Sequence, residues 1–128
     1  MTAIAPADAP FDVIYEAGTV FSPNGPVMAD LGVRGGKVAE IGALRGQVAA
    51  ERVDCAGLHL LPGVIDSQVH FREPGSEHKE DLQTGAAAAA LGGVTCGFET
   101  PNTNPTTTTP EQLADKVARA KGRMAVDF

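Results

Sequence analysis

A histidine and an arginine, His70 and Arg72, stand two residues apart at the end of an apolar run. Because side chains alternate across a strand, we expect Gln68, His70 and Arg72 on one face and Val69 and Phe71 on the other. A neutral imidazole is a good Zn²⁺ ligand, and a guanidinium pairs through two parallel hydrogen bonds with a carboxylate. The run therefore predicts a buried strand whose far end binds a metal ion or a carboxylate.

A second polar cluster, residues 101–105 (PNTNP), follows the next predicted strand. Its Asn102 offers both a hydrogen-bond donor and an acceptor. In a parallel barrel the reacting groups sit where strands end and loops begin, so we expect Asn102 to lie close to His70 and Arg72.

Structural roles stay open for these residues. Arg72 can form a salt bridge with Glu73 or Glu77, and Asn102 can cap the Pro-rich turn. Asp66 is interpreted as a residue that supports either the fold or the groups around the metal ligands, and not the reaction. The two other histidines are interpreted as ordinary, one within a pair of strands and one in a surface loop: His59 and His78.

The segments PGVIDSQVHFREPG (residues 62–75) and PNTNP (residues 101–105) resemble the amidohydrolase superfamily and, within it, dihydroorotase. The resemblance implies a (β/α)₈ barrel preceded by part of a small β-sandwich. The presence of both segments in one chain favours dihydroorotase. Hydantoinase-like and allantoinase-like enzymes share the metal site but not this combination of segments.

By this resemblance the complete protein hydrolyses a cyclic amide with the help of zinc. It would interconvert L-dihydroorotate and N-carbamoyl-L-aspartate in de novo pyrimidine biosynthesis. His70 is then a metal ligand, and Arg72 and Asn102 hold the carboxylate of the substrate. The other metal ligands and the acid/base Asp of the family lie on later strands, so we expect no catalytic residue in this chain, and the chain alone should be inactive.

The family's first barrel strand carries His-x-His, whereas this chain has Gln68 at the first position, and an amide is a poorer Zn²⁺ ligand than imidazole. Two functions therefore stay open. One is an active dihydroorotase that tolerates Gln68, and the retained Arg72 and Asn102 favour it. The other, favoured by Gln68, is a non-catalytic dihydroorotase-like subunit that supports the assembly of aspartate carbamoyltransferase. We expect a homo-oligomer, with aspartate carbamoyltransferase as a partner in the second case.

Composition and charge argue against several classes of protein. With 43% hydrophobic residues the chain can form a core, and its net charge of −6 argues against nucleic acid or anionic membranes as partners. Cys55 and Cys96 are too few for a disulfide framework, so both are expected to be reduced and buried. Neither a long apolar run nor a basic signal peptide is present, which predicts a cytoplasmic protein.

The first half of the chain predicts a small all-β module. Residues 1–10 are expected to form a flexible tail and residues 11–61 the N-terminal part of a β-sandwich. Gly35-Gly36 is typical of a two-residue hairpin turn. We expect short strands over residues 12–15, 19–21, 30–34, 37–41, 53–55 and 58–60.

Residues 62–128 predict the first units of a barrel, in the order strand, helix, strand, helix, strand. An Ala-rich helix over residues 80–91 is expected to pack through Leu82, Ala86, Ala89 and Ala90. A strand over residues 94–99 follows. A second helix opens at a capping box, runs through Lys121 and has an apolar face of Leu113, Val117 and Ala120. Because such a barrel takes about 250 residues, we expect the chain to hold only its first part.

Overall fold

Among the described residues, five strands belong to the first of two units, which ends at Pro62. The structure, a computed structural model, describes residues 10–128; apart from Pro10, the predicted tail lies outside the described residues. The strands are β1 (Phe11–Ser22), β2 (Gly25–Arg34), β3 (Lys37–Gly42), β4 (Ala49–Asp54) and β5 (His59–Leu60). They form one sheet in the order β3-β2-β1-β4, in which β5 also pairs with β1.

The two short strands predicted over residues 12–15 and 19–21 are one strand, β1. The pairing of β1 with β2 shifts register between Tyr15 and Gly18, and Ala17 has a φ of 57°. Such a bulge inserts an extra residue and leaves the strand continuous on both sides. The prediction was wrong because Ala17-Gly18 marks this bulge and not a break.

The predicted hairpin at Gly35-Gly36 is confirmed, since β2 and β3 pair as antiparallel neighbours on either side of it. Both glycines have positive φ, 60° and 70°, as a two-residue primed turn requires. The core of this unit is a cluster of Phe11, Ile14 and Leu44.

The second unit, Gly63–Phe128, alternates strands and helices as predicted. Its elements are β6 (Val64–Val69), α1 (Leu82–Leu91), β7 (Val94–Glu99) and α2 (Pro110–Ala120). Strands β6 and β7 are parallel. A third extended piece joins β7 through a parallel bridge from Cys96 to Asp127, whose N–H donates to the Thr95 carbonyl at 2.9 Å. This is the beginning of a parallel α/β array.

Capping fixes the start of both helices. Thr109 and Gln112 form the predicted capping box of α2, with Pro110 in the first turn. The N-cap of α1 is Asp81, whose carboxylate accepts from the Thr84 N–H at 2.8 Å. Helix α1 therefore begins two residues later than predicted.

The helix faces differ from the predicted ones. On α1, Leu82 and Ala86 are buried, whereas Ala90 is exposed. On α2, Ala120 is buried, but 54% of Leu113 and 47% of Val117 are exposed. Both of these side chains line a groove of about 810 Å³ between α2 and β7. The described part of the chain therefore covers only one end of the predicted apolar face.

The strand that carries His70 is less buried than predicted. Val64 and Ile65 of β6 are exposed, because within residues 10–128 β6 pairs with β7 on one side only.

The two cysteines differ from each other, since Cys55 is buried and Cys96 is only half-buried; neither forms a disulfide. Neither α1 nor α2, the helices of the described residues, is long and apolar enough to cross a membrane.

Candidate functional site

His70 follows directly after β6, and its side chain is half-buried. The neighbouring Val69 and Phe71 pack into the core with Leu82 and Ala120 of the helix layer. Alternation along the chain then turns His70 away from that core. The apolar residues on either side of His70 therefore anchor the backbone from which the imidazole projects.

The predicted approach of Asn102 to His70 is present. The Nδ1 atom of His70 lies 3.0 Å from Asn102 Oδ1 and 2.7 Å from the hydroxyl oxygen of Thr100. The Thr100 hydroxyl also lies 2.8 Å from Asn102 Oδ1 and 3.1 Å from the Val69 carbonyl oxygen. The ends of β6 and β7 are thus joined through the side chain of Thr100, which lies just before the second predicted polar cluster.

The contact with Asn102 fits one tautomer of His70. An amide oxygen only accepts hydrogen bonds, so a hydrogen bond between Nδ1 and Asn102 Oδ1 requires the proton on Nδ1. The Thr100 hydroxyl then donates to the Val69 carbonyl or to Asn102. The lone pair on His70 is left on Nε2, the atom through which a neutral imidazole can bind a metal ion.

Arg72 lies two residues beyond His70 and is exposed, with a φ of 66° in the left-handed region. Because β6 ends at Val69, strand alternation does not extend to Arg72. In the described part of the chain Arg72 forms no ion pair with a carboxylate, and no hydrogen bond joins it to His70 or Asn102. The guanidinium is therefore free to bind an anionic ligand; that role, like those of His70 and Asn102, stays a prediction.

The two carboxylates that were proposed as structural partners of Arg72 bind elsewhere. Glu77 accepts a hydrogen bond from the Gly75 N–H at 2.9 Å. Glu73 is buried and accepts two hydrogen bonds from Arg123, at 2.8 and 2.9 Å. Glu73 also accepts from the Leu82 N–H at 3.1 Å, at the start of α1.

Glu73 is the anchor of the loop that carries Arg72. The hydrogen bonds from Arg123 are the main cause that lowers the pKa of Glu73, and they outweigh the opposing effect of burial. A second guanidinium, that of Arg119, lies 3.8 Å from the same carboxylate. Glu73 is therefore ionised in the fold and joins its loop to both helices of this unit.

The loops after β6 and β7 also contact each other. The Asn104 N–H donates to the Pro74 carbonyl at 3.0 Å. Gly75 has a φ of 95°, and a Cβ atom at this position would overlap the Asn104 carbonyl oxygen. A glycine is required here, because the backbones of the two polar loops touch.

An ion pair between a buried lysine and a half-buried glutamate lies next to the site. Glu99, the last residue of β7, is 3.9 Å from the ammonium of Lys116 in α2, and Lys116 is only 8% exposed. Burial raises the pKa of Glu99 and lowers that of Lys116, while the attraction between the two charges acts in the opposite direction on each. The signal in the sequence was the position of Lys116, which lies on the same helix face as Leu113, Val117 and Ala120.

Residues 10–128 contain no complete metal site. No group of three His, Cys, Asp or Glu side chains among them is arranged to hold a metal ion. His70 has the free Nε2 that a ligand needs, whereas Gln68 is exposed and offers only an amide. The described residues can thus contribute one imidazole ligand to a site that others would have to complete.

Three other polar residues considered in the sequence lie in local structural contacts or on the surface: Asp66, His59 and His78. Asp66 accepts from the Gln68 N–H at 3.0 Å, within β6. His59 belongs to β5 and packs edge-on against Phe21. His78 is exposed in a turn.

The family model "Dihydro-orotase-like" matches residues 57–128. Allantoinase from Escherichia coli is 41% identical over 118 residues, and allantoinase from Deinococcus radiodurans is 37% identical over 118 residues. Each alignment covers 91% of this chain and 26% of the relative. The solved structure of L-hydantoinase (dihydropyrimidinase) from Arthrobacter aurescens is 35% identical, with a TM-score of 0.85 over 92% of this chain and 27% of that structure.

The chain thus spans about a quarter of the length of the relatives that it matches. These relatives are hydrolases of cyclic amides, which supports that broad class and leaves the preference for dihydroorotase over allantoinase and hydantoinase unconfirmed. The family model covers more than half of the chain, including both polar loops. On this evidence the chain belongs to the dihydro-orotase-like family of amidohydrolases.

Proposed function

We propose that the full-length protein that contains this chain is a dihydroorotase, which interconverts L-dihydroorotate and N-carbamoyl-L-aspartate. The observation that carries the proposal is the contact between His70 and Asn102, 3.0 Å apart at the ends of two parallel strands. The exposed Arg72, two residues beyond His70 in the chain, provides a cation for an anionic substrate.

In this proposal Arg72 and Asn102 bind the carboxylate of the substrate. A guanidinium matches the planar geometry of a carboxylate, and an amide N–H₂ adds a neutral donor. Asn102 uses its Oδ1 atom on His70, which leaves its amide nitrogen available for the ligand. These two groups would orient the ring of the substrate relative to His70.

The role proposed for His70 is that of a metal ligand through Nε2. Amidohydrolase relatives generally use metals such as zinc. A bound zinc ion would supply a water molecule that loses its proton near neutral pH. Thr100 and Asn102 act on the imidazole itself, since they hold the proton on Nδ1 and keep Nε2 free.

The relatives support a second substrate class. The curated relatives are named allantoinases, at 37% and 41% identity, and a cyclic amide such as allantoin is their named substrate. Allantoin has no carboxylate, so it offers no partner of full charge to Arg72. The free guanidinium therefore favours dihydroorotate over allantoin and hydantoin.

Gln68 supports the second function, that of a non-catalytic subunit that assembles with aspartate carbamoyltransferase. With Gln68 in place of a histidine, the strand supplies one imidazole ligand instead of two, which weakens zinc binding. Even substitutions of residues that only contact the metal ligands cost about 10- to 100-fold in metal affinity or activity. Metal analysis of the full-length protein beside a Gln68→His variant separates the two functions. If the wild type holds no zinc and the variant regains it, the non-catalytic function is favoured.

The test of the proposed activity is a comparison of substrates. The full-length protein should hydrolyse L-dihydroorotate with a higher kcat/KM than allantoin or hydantoin, and Arg72→Gln should remove most of this preference. A higher kcat/KM for allantoin, unaffected by Arg72→Gln, would replace dihydroorotase with allantoinase. No turnover of any of the three would contradict the enzymatic function as a whole.

The architecture of the full-length protein is part of the proposal. The relatives are about four times as long as the aligned region, which supports a (β/α)₈ barrel begun by β6, α1, β7 and α2. We also propose a homo-oligomer, which size-exclusion chromatography with light scattering would test.

A further inference from the structure

The half-buried Glu99 and the buried Lys116 contact the backbone on both sides of the candidate site. Glu99 Oε2 accepts a hydrogen bond from the Phe71 N–H at 3.2 Å. Phe71 lies between His70, the proposed metal ligand, and Arg72, a proposed substrate-binding residue, so this bond holds the backbone between them.

Lys116 makes the corresponding contact on the other strand. Its ammonium donates to the Thr100 carbonyl oxygen at 3.3 Å. Thr100 is the residue whose hydroxyl lies 2.7 Å from His70 Nδ1. One ion pair thus connects α2 with the ends of β6 and β7.

Stability alone does not account for a charged pair at this position. Burying two charges costs desolvation energy, and apolar residues of similar volume often stabilise a protein as well or better. Glu99 Oε1 is buried and has no hydrogen-bond partner among the described residues, which adds to that cost. Apolar replacements would, however, provide neither an acceptor for the Phe71 N–H nor a donor for the Thr100 carbonyl.

We propose that Glu99 and Lys116 are positioning residues, which fix the Phe71 and Thr100 peptides and thereby the placement of Arg72 and His70. The inference rests on the proposed function, because it assumes that Arg72 binds the substrate and that His70 binds a metal ion. Neither Glu99 nor Lys116 is expected to touch the substrate.

The test compares two double variants of the full-length protein, since removing one partner alone would leave a buried charge unpaired. Glu99→Gln with Lys116→Met keeps an acceptor for the Phe71 N–H, whereas Glu99→Leu with Lys116→Met does not. Both remove the two charges and keep similar volumes. Lys121→Met, an exposed position on the C-terminal side of α2, serves as the control.

The Glu99→Leu double variant should have a kcat/KM for L-dihydroorotate about tenfold below that of the Glu99→Gln double variant, mainly through KM, since one hydrogen bond to a buried donor is lost. Hydrogen exchange of the Phe71 amide should be faster in the Glu99→Leu double variant by a similar factor. The control should match the wild type in both measurements.

The two measurements separate this inference from the proposed function. Equal exchange of the Phe71 amide in the two double variants would overturn the inference, and so would equal kcat/KM at equal stability. If the wild type turns over no cyclic amide, the proposed function fails, and amide exchange still decides whether Glu99 holds the segment between His70 and Arg72.

Discussion

Replacing Glu73 with glutamine tests whether the loop of Arg72 is held by a buried carboxylate. Glutamine has the same shape, but it removes the charge that faces Arg123 at 2.8 and 2.9 Å and Arg119 at 3.8 Å. Its amide oxygen can still accept from the Leu82 N–H. The variant therefore keeps the volume of the side chain but removes its charge and one of the two acceptors for Arg123, because the amide nitrogen only donates.

The expected loss of stability lies between two limits. Breaking a wholly buried ion pair costs about 3–5 kcal/mol, whereas an exposed pair contributes about 0–1 kcal/mol. Glu73 is buried, but the Arg123 side chain keeps 34% of its surface exposed, so water can solvate it after the substitution. We expect Glu73→Gln to lower the free energy of unfolding by about 2 kcal/mol, or about 30-fold in the folding equilibrium.

The loss should depend on pH. Because the fold lowers the pKa of Glu73, its charge stabilises the folded state above the pKa of the unfolded chain, about 4.3. That contribution disappears as the pH falls through the lower, folded-state pKa. The difference between wild type and Glu73→Gln should thus be constant at neutral pH and shrink in acid.

Urea unfolding of the full chain, followed by far-UV circular dichroism, measures this difference, because the described helices lie in the second unit with Glu73. Asp115→Asn is the matched control: Asp115 is exposed and pairs with Arg119 at 2.7 Å. It should change stability little. An equal loss in both variants, or a difference that persists in strong acid, would refute the idea that burial of the Glu73 carboxylate is decisive.

Four further outcomes are expected. Gly75→Ala should destabilise the chain by more than about 2 kcal/mol in urea unfolding, because it combines a φ of 95° with overlap on the Asn104 carbonyl. Gln68→His should raise the zinc affinity of the full-length protein at least about tenfold in a chelator competition. Arg72→Lys should raise the KM for L-dihydroorotate about tenfold and change kcat less, since a lysine cannot form the bidentate contact with the carboxylate. The isolated 128-residue chain should show no turnover, and detectable turnover with bound zinc would contradict this.

Local signals predicted most of the second unit. The capping box of Thr109 and Gln112, with Pro110 in the first turn, gave the start of α2, and strand β7 has the bounds that its β-forming residues predicted. These features depend on contacts between residues close in sequence. The approach of Asn102 to His70 was also predictable, because parallel strands place their carboxyl ends at one edge of a sheet.

Long-range pairing was not predictable in the same way. Nothing near Glu73 in the sequence indicates that its partner is Arg123, which is 50 residues away. The pair of Glu99 and Lys116 was missed for a similar reason, since each residue alone resembles a solvated charge. Burial turns such charges into structural contacts, and burial depends on how α2 packs.

Apolar patterns also gave incomplete information about exposure. Leu113 and Val117 recur at helical spacing, and Val64 and Ile65 have strong strand propensity, yet all four are exposed. The patterns identified which faces are suited to burial. Whether a face is covered depends on elements that pack against it.

The backbone conformation of Arg72 bears on the two functions that Gln68 leaves open. A left-handed conformation in a residue other than glycine costs on the order of 1 kcal/mol and persists only where its surroundings enforce it. Here the surroundings are Glu99, which holds the Phe71 N–H, and Glu73, which is held by Arg123. A purely structural role does not require an exposed guanidinium on a backbone held in this left-handed conformation. A site that must present the guanidinium to a carboxylate in one orientation does, and this favours the substrate-binding function of Arg72.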